Sequence, residues 1–432
     1  MDTGSFTRLF AEFDRGEITP TFASLRQSAR ARFASLGWPT AHSEDWRFTN
    51  VTPIIETPFV LPPAPNTDRE HLPGLPHPGT VRLVFINGQF ASWLSTLHRA
   101  PRGLQVGSLV NANPDVAPKS LGQIADFKDN VFTALNTSFV SDGAIVAVQS
   151  GTVVEQPIEI IYLSQPGGQP FAVHPRTLIV VGHDAQATVV ERYLSAGEGL
   201  PSPSGRRAGG EGIFTNAVTE IVLMENANVD HVKVQQENAQ SFHVANTQIV
   251  QAARSVFTSH YLGLGGGLVR NEVRVRFDGE HCESTINGLY LGVGKQHLDN
   301  FTVIDHAKPN CASHELYKGI LDDKSHGVFN GKIFVRKDAQ KTDAKQTNKV
   351  LLLSDDATIN TKPQLEIFAD DVKCTHGATI GQLDATQLFY LQSRGIPLDA
   401  ARRLLTFAFA NDIVHRLKME SLREELEARI VR

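Results

Sequence analysis

From about Val81 to Ile380 the chain runs as short β-prone segments separated by turn residues, and this texture constrains the fold more than any other feature. RLVFINGQF (82–90), GAIVAVQSG (143–151), IEIIYLSQ (158–165), TLIVVG (177–182) and TEIVLMENANVDHVKV (219–234) open the series. VFTSHYLGLG (256–265), NEVRVRFDGEH (271–281), STINGLYLGVG (284–294), GVFNGKIFV (327–335), TNKVLLLSDDATI (347–359) and QLEIFADDVKC (364–374) extend it. Almost no helical pattern lies between them, which disfavours βαβ units and leaves a sandwich, a barrel or a parallel solenoid. Ser259-His260-Tyr261, Gly288-Leu289-Tyr290 and Glu315-Leu316-Tyr317 recur at intervals of 29 and 27 residues. Spacing of that size suggests one β-helix turn per repeat, with the tyrosines stacked.

Helical periodicity flanks this region. Phe6, Leu9, Phe10 and Phe13, then Leu25, Ala29 and Phe33, recur at helical steps, and Ser43 is a candidate N-cap for SEDWRF. Prolines crowd residues 52–79, so 1–80 reads as a helical region followed by an extended connector. The core then spans 81–381, interrupted at 195–212 by a Gly/Pro/Ser-rich insertion expected to be a mobile surface loop. Residues 382–432 return to a helical period. Leu388, Phe389 and Leu391 lead it, then a stripe through Leu404, Leu405, Ala408 and Phe409, then Leu422, Leu426 and Ile430. Such a tail either docks a partner or caps the open end of a solenoid.

Composition excludes several classes. A net charge of −5 argues against a general nucleic-acid binder, and no apolar run is long enough to span a membrane. The opening MDTGSFTRLFAEFDRGEI has no secretory pattern, and three cysteines in 432 residues suit a reducing compartment, so a cytoplasmic location is expected.

Candidate chemistry is sparse. LGLGGGL (262–268) has neither the lysine of a phosphate loop nor a following helix, and reads as a tight turn. Eight of the sixteen histidines lie between His231 and His326, yet no HxH or HExxH pair occurs; polar histidines on the outer face of stacked strands are expected. His281 and Cys282, adjacent on an expected strand, would point to opposite faces. The paired acids Asp322/Asp323, Asp355/Asp356 and Asp370/Asp371 would suit a polysaccharide-cleaving β-helix enzyme, but they sit where turns are expected. That enzyme is the alternative reading of the chain. Cys374 and His376, two apart in DDVKCTHGATIG, share one face of a strand at about 7 Å, which suits two ligands better than an activated thiol. Cys282, Cys311 and Cys374 are too few and too dispersed for a self-contained Cys₄ cluster, so any metal role would be shared with another subunit. Residue chemistry alone leaves strand packing as the favoured reading of the Cys374/His376 pair.

The long block HELYKGILDDKSHGVFNGKIFV through VKCTHGATIGQLDATQLFYLQSRGI (314–396) strongly resembles the SufB/SufD family of iron–sulfur cluster assembly proteins. NVFTALNTSFVSDGAIVAVQSGTVVEQPIEI (130–160) and SEDWRFTNVTPI (43–54) do so too. With no cysteine before residue 280, the chain is similar to the SufD branch. The resemblance implies a right-handed parallel β-helix with helical ends and no enzymatic activity of its own. It implies pairing with a SufB-like scaffold through the β-helices and docking of a SufC-like ATPase on the C-terminal helices. A homodimer of the isolated chain and a role in iron acquisition are further expectations. The family's ligand histidine falls on His376, with Cys374 beside it, facing a transient Fe–S cluster or iron shared with the partner and not held tightly by this chain alone. The segment matching the ATPase dock is 384–396, where Asp384, Gln387, Tyr390 and Arg394 are the expected contact residues. The insertion at 195–212 is not recognised as a family feature.

Overall fold

The computed structural model describes residues 4–16, 20–67, 80–112, 121–196 and 212–430. The insertion expected at 195–212 and the later part of the Pro-rich connector fall largely outside them.

Two ten-stranded sheets face each other, and the chain alternates between them, adding one strand to each per coil. The first sheet ends with the strands Glu283–Gly292, Ala312–Leu321, Asp343–Leu352 and Lys373–Gly381, and the second with His297–His306, His326–Val335 and Thr358–Ile367. From Ile158 onward neighbouring strands pair in parallel and in register. This is the parallel β-helix expected from the sequence. Inward-facing side chains from both sheets form the main core, which runs from Val81 and Leu83 to Val350 and Ala357.

Turn chemistry holds the coils in step. Asp184, Asn226, Arg254, His281, Asn310 and Lys341 all have positive φ, at the corner before the first-sheet strands. Asn and Asp tolerate this conformation best, and a small or compact residue follows in each coil: Ala185, Ala227, Ser255, Cys282, Cys311, Thr342. His281 is therefore a corner residue rather than a strand residue, while Cys282 beside it is buried.

The tyrosine repeat differs from the expected stack. Tyr261 pairs with Gly288, and Gly288 with Tyr317, whereas Tyr290 sits in the next inward column between Gly263 and Gly319. Each ring extends over a glycine in the adjoining coil, Tyr317 over Gly288 and Tyr290 over Gly319, whereas nearer the first end Phe85, Tyr162 and Tyr193 stack ring on ring at 5.2 Å. RLVFINGQF also differs: it is an antiparallel hairpin, Val81–Ile86 with Gln89–Phe90, turning on Asn87 and Gly88 at positive φ. That hairpin and the antiparallel strand Leu104–Ser108 close the first end of the solenoid.

Helices cover both flat faces. α1 (Gly4–Phe13), α2 (Ala23–Leu36), the short α3 (Thr52–Glu56) and α4 (Val131–Ser138) lie over the second sheet. Phe6, Phe10, Phe33, Trp38 and Phe132 pack there against Phe214, Val244 and Leu268. α4 is buried on every side, which hid it from any amphipathic pattern. Its anchor is an ion pair: Arg176 donates to Glu220 at 2.5 Å and to Asn136 at 3.0 Å, and Glu220 also accepts from the backbone of Gly122 and Ala125. Ser43 precedes a 3₁₀ turn, Glu44–Trp46, without capping it through its side chain. Trp46 instead covers the Arg270 guanidinium at 4.0 Å.

α5 (Ala385–Ser393), α6 (Leu398–Val414) and α7 (Glu420–Ile430) follow the last strand. α6 and α7 bury Ala410, Ile413, Val414, Leu422 and Leu426 on outward residues of the first sheet such as Val232, Leu262 and Leu289. The expected stripe through Leu404 and Ala408 is not the buried one; both residues are exposed, because α6 turns its Ala410–Ile413–Val414 face to the sheet. The tail thus flanks the solenoid, and among the described residues nothing caps its last coil. Among the described residues no helix is long and apolar enough to cross a membrane.

Candidate functional site

The last coil is the exposed one. Thr358–Ile367 and Lys373–Gly381 are the terminal strands of the two sheets, each paired on one side only among the described residues. Cys374 is in register with the buried Ala344, and His376 with the buried Gln346. Both therefore belong to inward-facing columns, but among the described residues no further coil covers them. His376 is exposed, whereas Cys374 is half-buried and packs with Val335, Ala344 and Leu365. Burial pushes the Cys374 thiol up, so it is a protonated packing group at neutral pH rather than a ready thiolate.

The column behind His376 is polar. Gln346 donates to Glu315 at 2.7 Å, while the Gln346 Oε1 has no partner among the described residues. Burial raises the Glu315 carboxyl to about 7. Further in, Glu191 accepts from Thr177 at 2.6 Å and lies 2.8 Å from His231 Nε2. His243 lies 2.7 Å from Glu237, and His306 bonds Ser313 at 2.9 Å. These three histidines are interior, contrary to the outer-face expectation: each occupies an inward position where another polar side chain meets it. His297 and His326 do lie on the outer face, with their Nδ1 atoms 3.1 Å apart. Among the described residues no three His, Cys, Asp or Glu groups converge to hold a metal.

The C-terminal candidates come together at a second place. Asp384 caps α5, accepting from Thr386 N at 2.7 Å, and lines a groove of about 420 Å³ with Gln387, Tyr390, Leu391 and Leu405. Arg394 stands over the Tyr390 ring at 5.3 Å. α5 buries none of its residues; Phe389 is 72% exposed and Tyr390 56%. Phe389 and Leu404 were read as helix-stripe residues, and the pattern gives no sign that their face is left uncovered. The paired aspartates take up turn positions: Asp323 accepts from Gly294 N, and Asp371 pairs with Lys341.

Known proteins decide the lineage. The SufBD core domain of the SUF system for FeS cluster assembly matches residues 163–409, and the SufBD N-terminal region matches 5–160. This chain belongs to the SufBD family. An iron-sulfur cluster assembly SufBD family protein of Synechocystis is 36% identical over 93% of this chain and 88% of its own length. The iron-sulfur cluster assembly protein SufD of Escherichia coli is 32% identical over 91% and 89%, and that of Bacillus subtilis 29% over 70% and 67%. As a SufBD-family member the chain is an iron–sulfur cluster assembly protein, and its paired aspartates do not favour the polysaccharide-cleaving alternative. Its core match runs through Cys374 and His376 and into α6.

Proposed function

We propose that this chain is a SufD-like, non-enzymatic subunit that pairs through its last coil with a homologous SufB-like scaffold and presents His376 to iron or a nascent cluster at that junction. The supporting observation is that His376 lies on a terminal strand, in a column that is inward-facing elsewhere but open here. An unpaired strand edge is a template for a second chain, and a partner with the same coil cross-section matches it best. A second copy of this chain offers the same edge, so the isolated protein self-pairs there. Cys374, protonated and packed, is secondary to the imidazole, which supplies a borderline-soft nitrogen without deprotonation. On the flank, the uncovered α5 with Asp384, Gln387, Tyr390 and Arg394 receives the SufC-like ATPase, whose work moves the cluster onward.

The test is His376→Ala, with cluster maturation measured in cells lacking other assembly systems. Loss of maturation with an intact complex is expected, and Cys374→Ser should be mild. Undiminished maturation in the His376 variant would overturn the ligand role. Co-purification with an ATPase and a homologous scaffold tests the partners; recovery of the chain without either would overturn the docking assignments.

A further inference from the structure

Cys282 and Cys311 play no part in the site at the last coil. They occupy equivalent corner positions in successive coils, each directly after a residue of positive φ, His281 at 59° and Asn310 at 59°. The following residues, Glu283 and Ala312, are partners in the parallel ladder, and Ala312 N–H donates to the Cys282 carbonyl at 2.9 Å. The two cysteines are therefore stacked neighbours, one coil apart. Adjacent parallel strands lie about 4.8 Å apart, within the Cα separation a disulfide spans. Both thiols are free and sealed from solvent, at 0% and 1% exposure. Both sulfurs reach the same Gly279 carbonyl, Cys282 at 3.2 Å and Cys311 at 3.4 Å, and the neighbouring thiol holds Cys282 down to about 7 and Cys311 up. Ser255, the corner residue one coil earlier, points its hydroxyl at the Cys282 sulfur at 3.9 Å.

The strands that follow these corners carry α6. Lys318, on Ala312–Leu321, donates to the Phe409 carbonyl at 2.9 Å and pairs with Asp412 at 2.9 Å. Asn287, on Glu283–Gly292, accepts from Arg416 at 3.4 Å.

We propose that Cys282 and Cys311 are a redox-active dithiol whose disulfide staples together the two coils on which the C-terminal helices rest. A small neutral peroxide suits a sealed corner. The Cys282 sulfur attacks hydrogen peroxide, the O–O bond breaks, and a sulfenic acid and one water form. The Cys311 sulfur then displaces that oxygen as a second water, with its thiol proton, closing the S–S bond. Two thiols are oxidised and one peroxide is reduced to two waters; a dithiol reductant reverses the step. Cys374 packs in a separate cluster at the last coil and stays outside the exchange.

The experiment treats the full-length chain with hydrogen peroxide, quenches in acid, alkylates remaining thiols under denaturing conditions and maps the peptides. The expected result is one reductant-sensitive cross-link joining the Cys282 and Cys311 peptides, with Cys374 uninvolved. Oxidation should raise the melting temperature by a few degrees, because closing the intervening loop restricts the unfolded chain, and Cys311→Ser should abolish the rise. Alkylation of both core thiols after peroxide that oxidises Cys374 would overturn the proposal, as would cross-links confined to Cys374. A cross-link that forms without raising the melting temperature would overturn the stapling role.

Discussion

The Tyr317 ring occupies the space that Gly288 leaves in the preceding coil, so closely that a single Cβ at Gly288 would overlap it. Gly288→Ala is therefore expected to destabilise the chain by about 1–3 kcal/mol through overpacking. At Gly377, on the exposed last strand, an added Cβ meets nothing within 4 Å. Gly377→Ala should stay within about 0.5 kcal/mol of the parent. Urea unfolding of the two variants separates a packing constraint from a general intolerance of strands to substitution.

Arg176 and Glu220 are fully buried partners that also tie down α4 and the 121–125 segment. Removing the cation strands the carboxylate, so Arg176→Ala should cost about 3–5 kcal/mol. Hydrogen exchange should show α4 losing protection first.

Glu315 supplies a pH signature. Its folded carboxyl ionises near 7, above the ordinary value of 4.5, so the folded state binds the proton more tightly than the unfolded chain. Its contribution is fully present below about 4.5 and is lost as pH rises towards 7. Buried histidines held low, His260 and His297 at about 4, and His174 and His306 at about 3, work in the opposite sense and weaken the fold as pH falls below 6.5. Glu315→Gln isolates the first effect: the stability difference between parent and variant should shift towards the variant by up to roughly 3 kcal/mol between pH 4.5 and 7. A pH-independent difference in denaturant midpoints would contradict it.

Phe389 and Tyr390 are largely exposed, and the Tyr390 ring lies against the guanidinium of Arg394, itself exposed. Replacing both with Ser should leave thermal stability within about 0.5 kcal/mol, and on the proposed docking role should reduce capture of a SufC-like ATPase at least tenfold in a binding assay.

The architecture was legible because parallel coils repeat turn chemistry and strand length, both local properties, every 27 to 31 residues from Asn226 to Lys341. The register was not, because Tyr261, Tyr290 and Tyr317 look like a single column until the intervening glycines are paired with them. α4 escaped notice since a helix buried all round has no polar face. At the last coil, sequence placed Cys374 and His376 on one face, but only the missing next coil makes that inward face a surface. For α5 the apolar residues predicted burial, yet the surface they would meet is absent from this chain among the described residues. Periodicity reports which side of an element is apolar, not whether anything of its own lies opposite.

The two ends of the solenoid are unlike: short antiparallel strands finish the first, while among the described residues the last presents the edges of two long parallel strands. Head-to-tail stacking would need complementary surfaces at both ends and would grow without limit. On the proposed pairing through the last coil, joining two such ends consumes both. The molecule would then have a valence of one along its axis, and association would stop at a pair.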